Sequence, residues 1–170
     1  MSIDPALFRQ VAASFASGVT IVTTGSKGDF HGMTVSAFTS LSVDPTLVLV
    51  CIDRGAETLP FLQRTGRFNI SILTTDQEQL SRQFATKGSP QSHGLTDVDY
   101  YLGKSGLPLL RDALAYFECR TTQQYDGGDH VIFTGEVEAA GLSEEGDPLA
   151  YYRGRYRQLA PPGLSLGFTV

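Results

Sequence analysis

Six short runs of β-forming residues, separated by turn signals, place the strongest constraint on what this 170-residue chain can fold into. The segments "GSKGD", "SVDP" and "YDGGD" between several of them are rich in the residues that make tight turns. Six strands in one domain predict a mainly β fold, either a barrel or a sandwich. The runs are "VTIVTT" (19–24), "GMTVSAF" (32–38), "TLVLVCI" (46–52), "RFNISIL" (67–73), "ALAYFECRTT" (113–122) and "HVIFTGEVEA" (130–139).

Two stretches in the first half of the chain have the pattern of short helices. Asp4 followed by Pro5 is a helix start signal, and apolar residues then recur at helical spacing until Gly18. A second helix can start at Thr58, in "TLPFLQRTG". We therefore expect one amphipathic N-terminal helix and one helix after the third strand.

A third helix is predicted in "TDQEQLSRQFATKG", where Thr75 and Glu78 have the spacing of a capping box and Gly88 closes the pattern. The segment that follows, residues 89–106, contains Gly, Pro, Ser and Asp without a period and therefore predicts a long surface loop. Loops of that length often form lids or binding loops.

Composition and charge exclude several classes of protein. The formal net charge of −5 gives no broad basic surface, so nucleic acid is not expected as a partner. There is no apolar run of 18 residues and no signal-peptide pattern at the start, so we expect no membrane partner and a cytoplasmic protein. Cys51 and Cys119 each lie in an apolar run, which is typical of reduced, buried thiols. The three histidines are far apart in sequence, and no metal site is expected.

Standard nucleotide-binding and hydrolase motifs do not account for this chain. It contains no G-x-G-x-x-G turn after a strand and no Walker-type phosphate loop, so a nucleotide would have to be held in another way. The C-terminal "GLSLG" matches the nucleophile-elbow pattern at Ser165, but no helix, acid or histidine can follow it. We expect these residues to form a plain tail.

The stretch "HGMTVSAFTSLSVDP" (31–45) carries an unusual number of short hydroxyl side chains for a buried strand. A solvated strand face would be expected to carry Lys, Glu or Arg instead. The hydroxyl face is therefore either a weakly polar exposed surface or the wall of a ligand site. Read with period two, one face carries Met33, Val35, Ala37, Leu41 and Val43, and the other carries Thr34, Ser36, Ser40 and Ser42.

Several segments together resemble the short-chain flavin reductases, in the order and spacing of that family. They are "FASGVTIVTT", "GMTVSAFTSLSVDPTLVLVCI", "LSRQFA", "GLPLL", "GDHVIFTGEV" and "PLAYYRGRY", and the resemblance runs from about Phe8 to Tyr156. It implies a six-stranded antiparallel split β-barrel of Greek-key topology with a few flanking helices. It also implies one domain over residues 1–170, with a core at about 8–158 and a tail at 159–170.

The resemblance further implies an NAD(P)H:flavin oxidoreductase that uses FMN or FAD with NADH or NADPH. Members of the family are often homodimers in which the second subunit completes the flavin site, and many supply reduced flavin to a separate monooxygenase. The hydroxyl face is then best explained as a flavin wall, because hydroxyls and backbone amides can satisfy a flat neutral heterocycle without burying a charge.

Carried over residue by residue, the resemblance assigns a flavin site drawn from several segments. Arg54, Arg82 and Lys87 are candidate partners of a phosphate, although each can equally be a solvated surface charge. The loop "DRGAET" departs from the family by having Ala56 and Glu57 where a further hydroxyl is expected. The implied cofactor-binding residues are Thr34, Val35, Ser36, Ala37, Ser40, Cys51, Asp53, Arg54, Thr58, Arg82, Phe84, Ala85, Lys87, Arg153 and Tyr156.

His130, in "GGDHVIF", is the candidate catalytic residue, because the histidine of this motif faces the flavin in the family. Its alternative role is to satisfy backbone groups of the Gly-rich turn, and Asp129 either orients the ring or caps that turn. The alternative functions are a non-catalytic flavin- or haem-binding split-barrel protein, an oxidase of the pyridoxamine-phosphate type and a plain interaction domain.

Overall fold

The computed structural model describes residues 3–159, and within them the chain is mainly β, as expected. The predicted tail at Ser165 lies outside the described residues. The helices are α1 (Pro5–Ala12), α2 (Leu59–Thr65) and α3 (Glu78–Ala85). The strands are β1 (Ser17–Gly18), β2 (Thr20–Ser26), β3 (Asp29–Val35), β4 (Phe38–Val43), β5 (Thr46–Asp53), β6 (Arg67–Ile72), β7 (Tyr100–Leu102), β8 (Pro108–Leu110), β9 (Ala115–Gly127), β10 (His130–Leu142), β11 (Ala150–Tyr152) and β12 (Arg155–Arg157).

The main sheet is antiparallel and has seven strands in the order β3-β2-β6-β9-β10-β5-β4, where six were expected. Its two edge strands, β3 and β4, are consecutive in the chain and are separated only by Ser36 and Ala37. The Ala37 carbonyl accepts a hydrogen bond of 3.0 Å from the Cys51 N–H of β5. Opposite edges of one sheet are therefore joined by two residues.

The predicted strand 32–38 is broken at Ser36 and Ala37, and the alternation expected beyond it is wrong. Leu41 and Val43, assigned to the core face, are 48% and 89% exposed, and Ala37 is exposed as well. The β4–β5 register shifts between Ser40 and Ser42. A bulge of this kind places two residues opposite one and reverses the faces that follow, which a strict period of two cannot anticipate.

The helix predictions hold with shifted ends. Helix α1 begins as predicted, with the Asp4 carboxylate accepting from the Ala6 N–H at 3.1 Å, but it ends at Ala12 rather than near Gly18. Helix α2 follows Thr58 and ends at Thr65, and its C-cap Gly66 has a positive φ of 62°.

The capping contact at the third helix lies one residue earlier than predicted. Gln77 Oε1 accepts from the Thr74 N–H at 3.2 Å, and a 3₁₀ turn precedes α3. The predicted loop 89–106 contains strand β7, which pairs with β8. Strands this short carry too few residues to show a period.

Two clusters of buried apolar side chains lie on opposite faces of the sheet. In β2, Val22 belongs to the cluster that also contains Phe68 and Phe133, whereas Ile21 belongs to the cluster with Phe84 of α3 and Leu149. Strand β2 is therefore buried on both sides, which positions α3 firmly against the sheet.

Both cysteines are free thiols. Cys119 is buried, and this burial raises the pKa of its thiol to about 12. Cys51 is half-buried. Within residues 3–159, no helix is both long and apolar enough to cross a membrane.

Candidate functional site

A cleft of about 280 Å³, which we call the α3 cleft, lies between β3, the turn after β5 and the end of α3. It brings together predicted flavin residues from two segments that are distant in sequence. Asp53 and Thr58 lie on one side, and Phe84, Ala85 and Lys87 lie on the other. The remaining lining residues are Gly32, Met33, Gly55, Ala56, Glu57, Thr86 and Ser92.

The turn after β5 is held in place by one local hydrogen bond and one to a neighbouring strand. Asp53 Oδ1 accepts from the Gly55 N–H at 2.6 Å, which closes a tight turn at the end of the strand. The buried Thr58 hydroxyl donates to the Gly32 carbonyl at 3.2 Å and ties this turn to β3. The cleft wall is therefore fixed by the backbone of two strands.

Gly32 allows α3 to pack closely against β3. A Cβ at this position would lie 2.5 Å from Cε1 and 3.0 Å from Cδ1 of Phe84, which is 3% exposed. Only glycine permits this approach without displacing the aromatic ring. Sequence reasoning did not single out Gly32, although its place in "HGM" before the hydroxyl run was visible.

Glu57 joins the turn to the segment after α3. Its Oε2 accepts from the Gly88 N–H at 3.1 Å and lies 2.8 Å from His93 Nε2. The hydrogen bond from His93, followed by that from Gly88, lowers the pKa of Glu57, and the Lys87 charge acts in the same direction. The carboxylate is therefore ionised at neutral pH.

The segment that carries His93 also docks on β3. The ring of His31, which is buried, stacks on Phe61 with centroids 3.4 Å apart and meets the His93 ring edge-on at 5.2 Å. The Ser92 carbonyl accepts from the Gly32 N–H at 3.1 Å. Sequence reasoning missed His93, because its partner Glu57 is 36 residues away.

His130 lies in a second cleft of about 580 Å³, which we call the β10 cleft. Its Nδ1 lies 2.7 Å from Asp129 Oδ1, and this hydrogen bond lowers the pKa of Asp129. An ionised carboxylate can only accept, so Nδ1 carries a proton. The lining residues are Pro5, Phe8, Arg9, Ala37, Cys51, Gly127, Asp129, His130 and Ile132.

The two clefts are neighbours along β5. Cys51 lines the β10 cleft and Asp53 lines the α3 cleft, two residues further on. His130 pairs with Asp53 in the antiparallel ladder. Three predicted residues, Ala37, Cys51 and His130, thus lie beside the five in the α3 cleft.

Four of the predicted flavin residues between positions 34 and 40 lie outside both clefts. The Thr34 hydroxyl donates to the Ser81 carbonyl of α3 at 2.7 Å. Val35 is buried in the core, and its carbonyl accepts from the Thr20 hydroxyl at 2.7 Å. Ser36 and Ser40 are exposed, and within residues 3–159 neither of them lines these two clefts.

Two of the predicted phosphate partners already have partners of their own. Arg54 donates to the Gly128 carbonyl and to the Asp126 carboxylate, at 2.7 and 2.6 Å. Arg82 pairs with Glu78 at 2.7 Å. Of the three cations considered in the sequence, only Lys87 lines either of the two clefts.

The C-terminal pair supports the surrounding elements. Tyr156 shares a hydrogen bond of 2.8 Å with the Ser81 hydroxyl, and the Arg82 guanidinium lies 4.6 Å from the centre of its ring. The Arg153 N–H donates to the Ala13 carbonyl, and its guanidinium lies over the Tyr152 ring at 5.2 Å. Within residues 3–159, neither Arg153 nor Tyr156 lines the α3 or β10 cleft.

Comparison with known proteins finds close relatives over most of the chain. A family model described as a flavin reductase like domain matches residues 12–160. The chain is 42% identical over 159 residues to the reductase component of 4-nitrophenol 4-monooxygenase/4-nitrocatechol 2-monooxygenase from Rhodococcus opacus, covering 94% of this chain and 83% of that protein. It is 39% identical over 157 residues to an NADH-dependent FMN reductase from Streptomyces nodosus subsp. asukaensis, covering 91% and 85%. Among solved structures, the NADH:FAD oxidoreductase SgcE6 of Streptomyces globisporus, in complex with NAD and FAD fragments, superposes with a TM-score of 0.87 at 37% identity and covers 95% and 98%.

Proposed function

The chain belongs to the flavin-reductase-like family, and from that premise we propose that it is an NAD(P)H-dependent flavin reductase acting on FMN or FAD. One observation carries the assignment to a site: five predicted flavin residues from two distant segments line the α3 cleft, and two more line the neighbouring β10 cleft together with the candidate catalytic residue His130. When bound, the nicotinamide and the flavin supply hydride transfer from C4 to N5.

The α3 cleft fits a flat heterocycle. Gly32, Gly55, Ala56 and Ala85 line it with little side-chain volume, and the Phe84 ring adds an apolar surface. A neutral ring edged with carbonyls and nitrogens is bound by apolar surface and by a few polar groups that fix its orientation, and it needs no charged partner. The protein's contribution is then to hold two rings at reacting distance, about 3 to 3.5 Å.

His130 is the proposed nicotinamide contact. Since Asp129 holds Nδ1 in its protonated form, a neutral ring leaves Nε2 as an acceptor toward a bound amide. Cys51 and Ala37 share the β10 cleft with this ring, so a nicotinamide here would lie beside the proposed flavin wall.

The activity is tested by mixing purified protein with NADH, or NADPH, and FMN or FAD, and following the nicotinamide absorbance. We expect rapid oxidation that depends on both the protein and the added flavin. Flavin binding without nicotinamide oxidation would instead identify a non-catalytic flavin-binding protein. The control without flavin measures direct oxidation by oxygen.

The fold itself extends this proposal. The two sheet edges β3 and β4 are separated by Ser36 and Ala37 alone, which supports a sheet that closes as a six-stranded Greek-key split barrel. In that description β3 and β4 count as one strand that bends at these residues. We assign the whole chain, residues 1–170, to this single domain.

A homodimer is the proposed assembly. Within the described part of the chain none of the α1 residues Pro5–Ala12 is buried, and Leu7, Phe8 and Val11 are 48%, 58% and 63% exposed. An apolar helix face of this kind needs a cover. Sedimentation should show a dimer that Val11→Asp weakens, while Leu142→Asp, at another exposed apolar site, should not. An unaltered dimer in the Val11 variant would remove α1 from the interface.

The proposed partner is a separate flavin-dependent monooxygenase, because a relative of this length and similarity is the reductase component of one. A monooxygenase supplied with reduced flavin by this protein and NADH would hydroxylate its substrate without a reductase of its own. The cytoplasmic location stays a prediction of the sequence.

A further inference from the structure

The charges that line the α3 cleft affect how tightly flavins of different charge can bind there. This inference rests on the proposed function. Asp53 and Glu57 are its acidic lining residues, and Lys87 is its basic one, so the described lining carries a formal charge of −1 (two acids against one base). The Asp53 carboxylate already accepts from the Gly55 N–H. Glu57 differs from Asp53 in that its hydrogen bond from the Gly88 N–H ties it to the segment that carries Lys87.

Glu57 is only partly satisfied by its partners. Both of its hydrogen bonds, from Gly88 and His93, reach Oε2, and Oε1 makes none within residues 3–159. The side chain is 37% exposed and lies in the cleft wall. One carboxylate oxygen of a cleft-lining residue is therefore available to meet a ligand.

Lys87, the one basic residue of the described cleft lining, belongs to the segment that binds Glu57. Lys87 directly precedes Gly88, whose N–H binds Glu57, and its charge acts on Glu57. A phosphate attracted by Lys87 would therefore also meet the Glu57 carboxylate. Like charges that share one cleft oppose binding, more strongly for a dianion than for a monoanion.

We propose that Glu57 is a specificity-determining residue that weakens the binding of FMN relative to riboflavin and FAD. The terminal phosphate of FMN carries close to two negative charges at neutral pH, as phosphate monoesters do. Each phosphate of FAD carries one charge, and riboflavin has the same ring and ribityl chain with none. The three flavins thus differ in the charge that they bring to one place.

Glu57→Gln is the variant that tests this proposal, because it removes the charge and keeps a side-chain oxygen that can accept from Gly88. Dissociation constants for riboflavin, FMN and FAD are measured by fluorescence titration of the purified protein. We expect FMN to bind about three- to tenfold more tightly to the variant. Riboflavin should change less than about twofold, and FAD should fall between them.

A matched control and a salt series separate charge from structure. Glu138 has the same 37% exposure and is paired with Arg67 outside the cleft, so Glu138→Gln should leave all three constants unchanged. Because salt screens exposed charges, raising the ionic strength should lower the wild-type ratio of the FMN constant to the riboflavin constant. Glu57→Gln should show a smaller salt effect.

Several outcomes would overturn the proposal. An unchanged ratio of FMN to riboflavin constants in Glu57→Gln would do so. Equal weakening of all three flavins would show that Glu57 only holds the Gly88–His93 segment. Glu57→Ser, which removes the charge with a different shape, must shift the ratio in the same direction. If the wild type binds no flavin, both this proposal and the proposed function are overturned. If the wild type reduces flavin with NADH but Glu57→Gln keeps the wild-type ratio of the FMN and riboflavin constants, only this proposal is overturned.

Discussion

Gly32→Ala tests whether the close contact of β3 with α3 shapes the proposed flavin site. The added methyl would lie 2.5 Å from Cε1 of Phe84, and Thr23 Cγ2 lies 3.5 Å away on another side. Overpacking of this kind costs about 1 to 3 kcal/mol, and the smaller entropy of the unfolded chain offsets roughly 0.4 to 1 kcal/mol. The midpoints of these ranges leave a net loss of about 1.3 kcal/mol, which corresponds to a melting temperature lower by about 3 to 5 °C.

The measurements are thermal unfolding and flavin titration of the same variant. Since Phe84 and Ala85 line the α3 cleft, moving the aromatic ring should also weaken flavin binding. Gly18→Ala is the control, because a Cβ there meets nothing within 4 Å. It should leave flavin affinity unchanged and raise the melting temperature by about 1 to 4 °C through the entropy term alone. In a Phe84→Leu background the cost of Gly32→Ala should shrink, since the clashing ring is gone. A Gly32→Ala protein as stable as Gly18→Ala, with wild-type flavin affinity, would refute the packing argument.

Much of the fold could be predicted from local pattern. Long runs such as "TLVLVCI" and "HVIFTGEVEA" have enough β-forming residues to outweigh any helical alternative, and both are strands. The start signal at Asp4 and Pro5 is also local, and α1 begins there. Features that depend on the pairing of strands could not be predicted from local pattern. The bulge near Leu41 is one of them, because it is fixed by the pairing of β4 with β5.

The candidate site was predicted in part, for a similar reason. Family motifs identified Thr58, Phe84 and Ala85, and the fold places them in one cleft. The hydroxyl at Thr34 looked available in sequence, but α3 packs over it and its proton goes to the Ser81 carbonyl. Which groups of distant segments form hydrogen bonds depends on the tertiary structure. The type of a residue does not determine its partner.

Two further predictions concern catalysis and acid stability. His130→Ala should lower the rate of NADH-dependent flavin reduction by up to roughly tenfold at saturating flavin, with flavin affinity nearly unchanged, because one hydrogen bond is worth about 0.5 to 1.5 kcal/mol. Stopped-flow kinetics measure this, and an unchanged rate in a less stable protein would make His130 structural. Glu118 is buried, with 3% of its surface exposed, and this burial opposes the ionisation of its carboxyl group. Hydrogen bonds from the Ser105 and Lys104 N–H groups to the carboxylate outweigh the effect of burial. The pKa of Glu118 is therefore lowered from 4.5. A lowered pKa means that ionised Glu118 stabilises the fold at neutral pH and that this stabilisation is lost as the pH falls below about 4.5. Glu118→Gln should therefore be less stable than wild type at pH 7 by about 1 to 3 kcal/mol, with a difference that narrows in acid. Calorimetric melting temperatures across this range decide the point, since a gap that stays constant with pH would show that the Glu118 charge does not contribute.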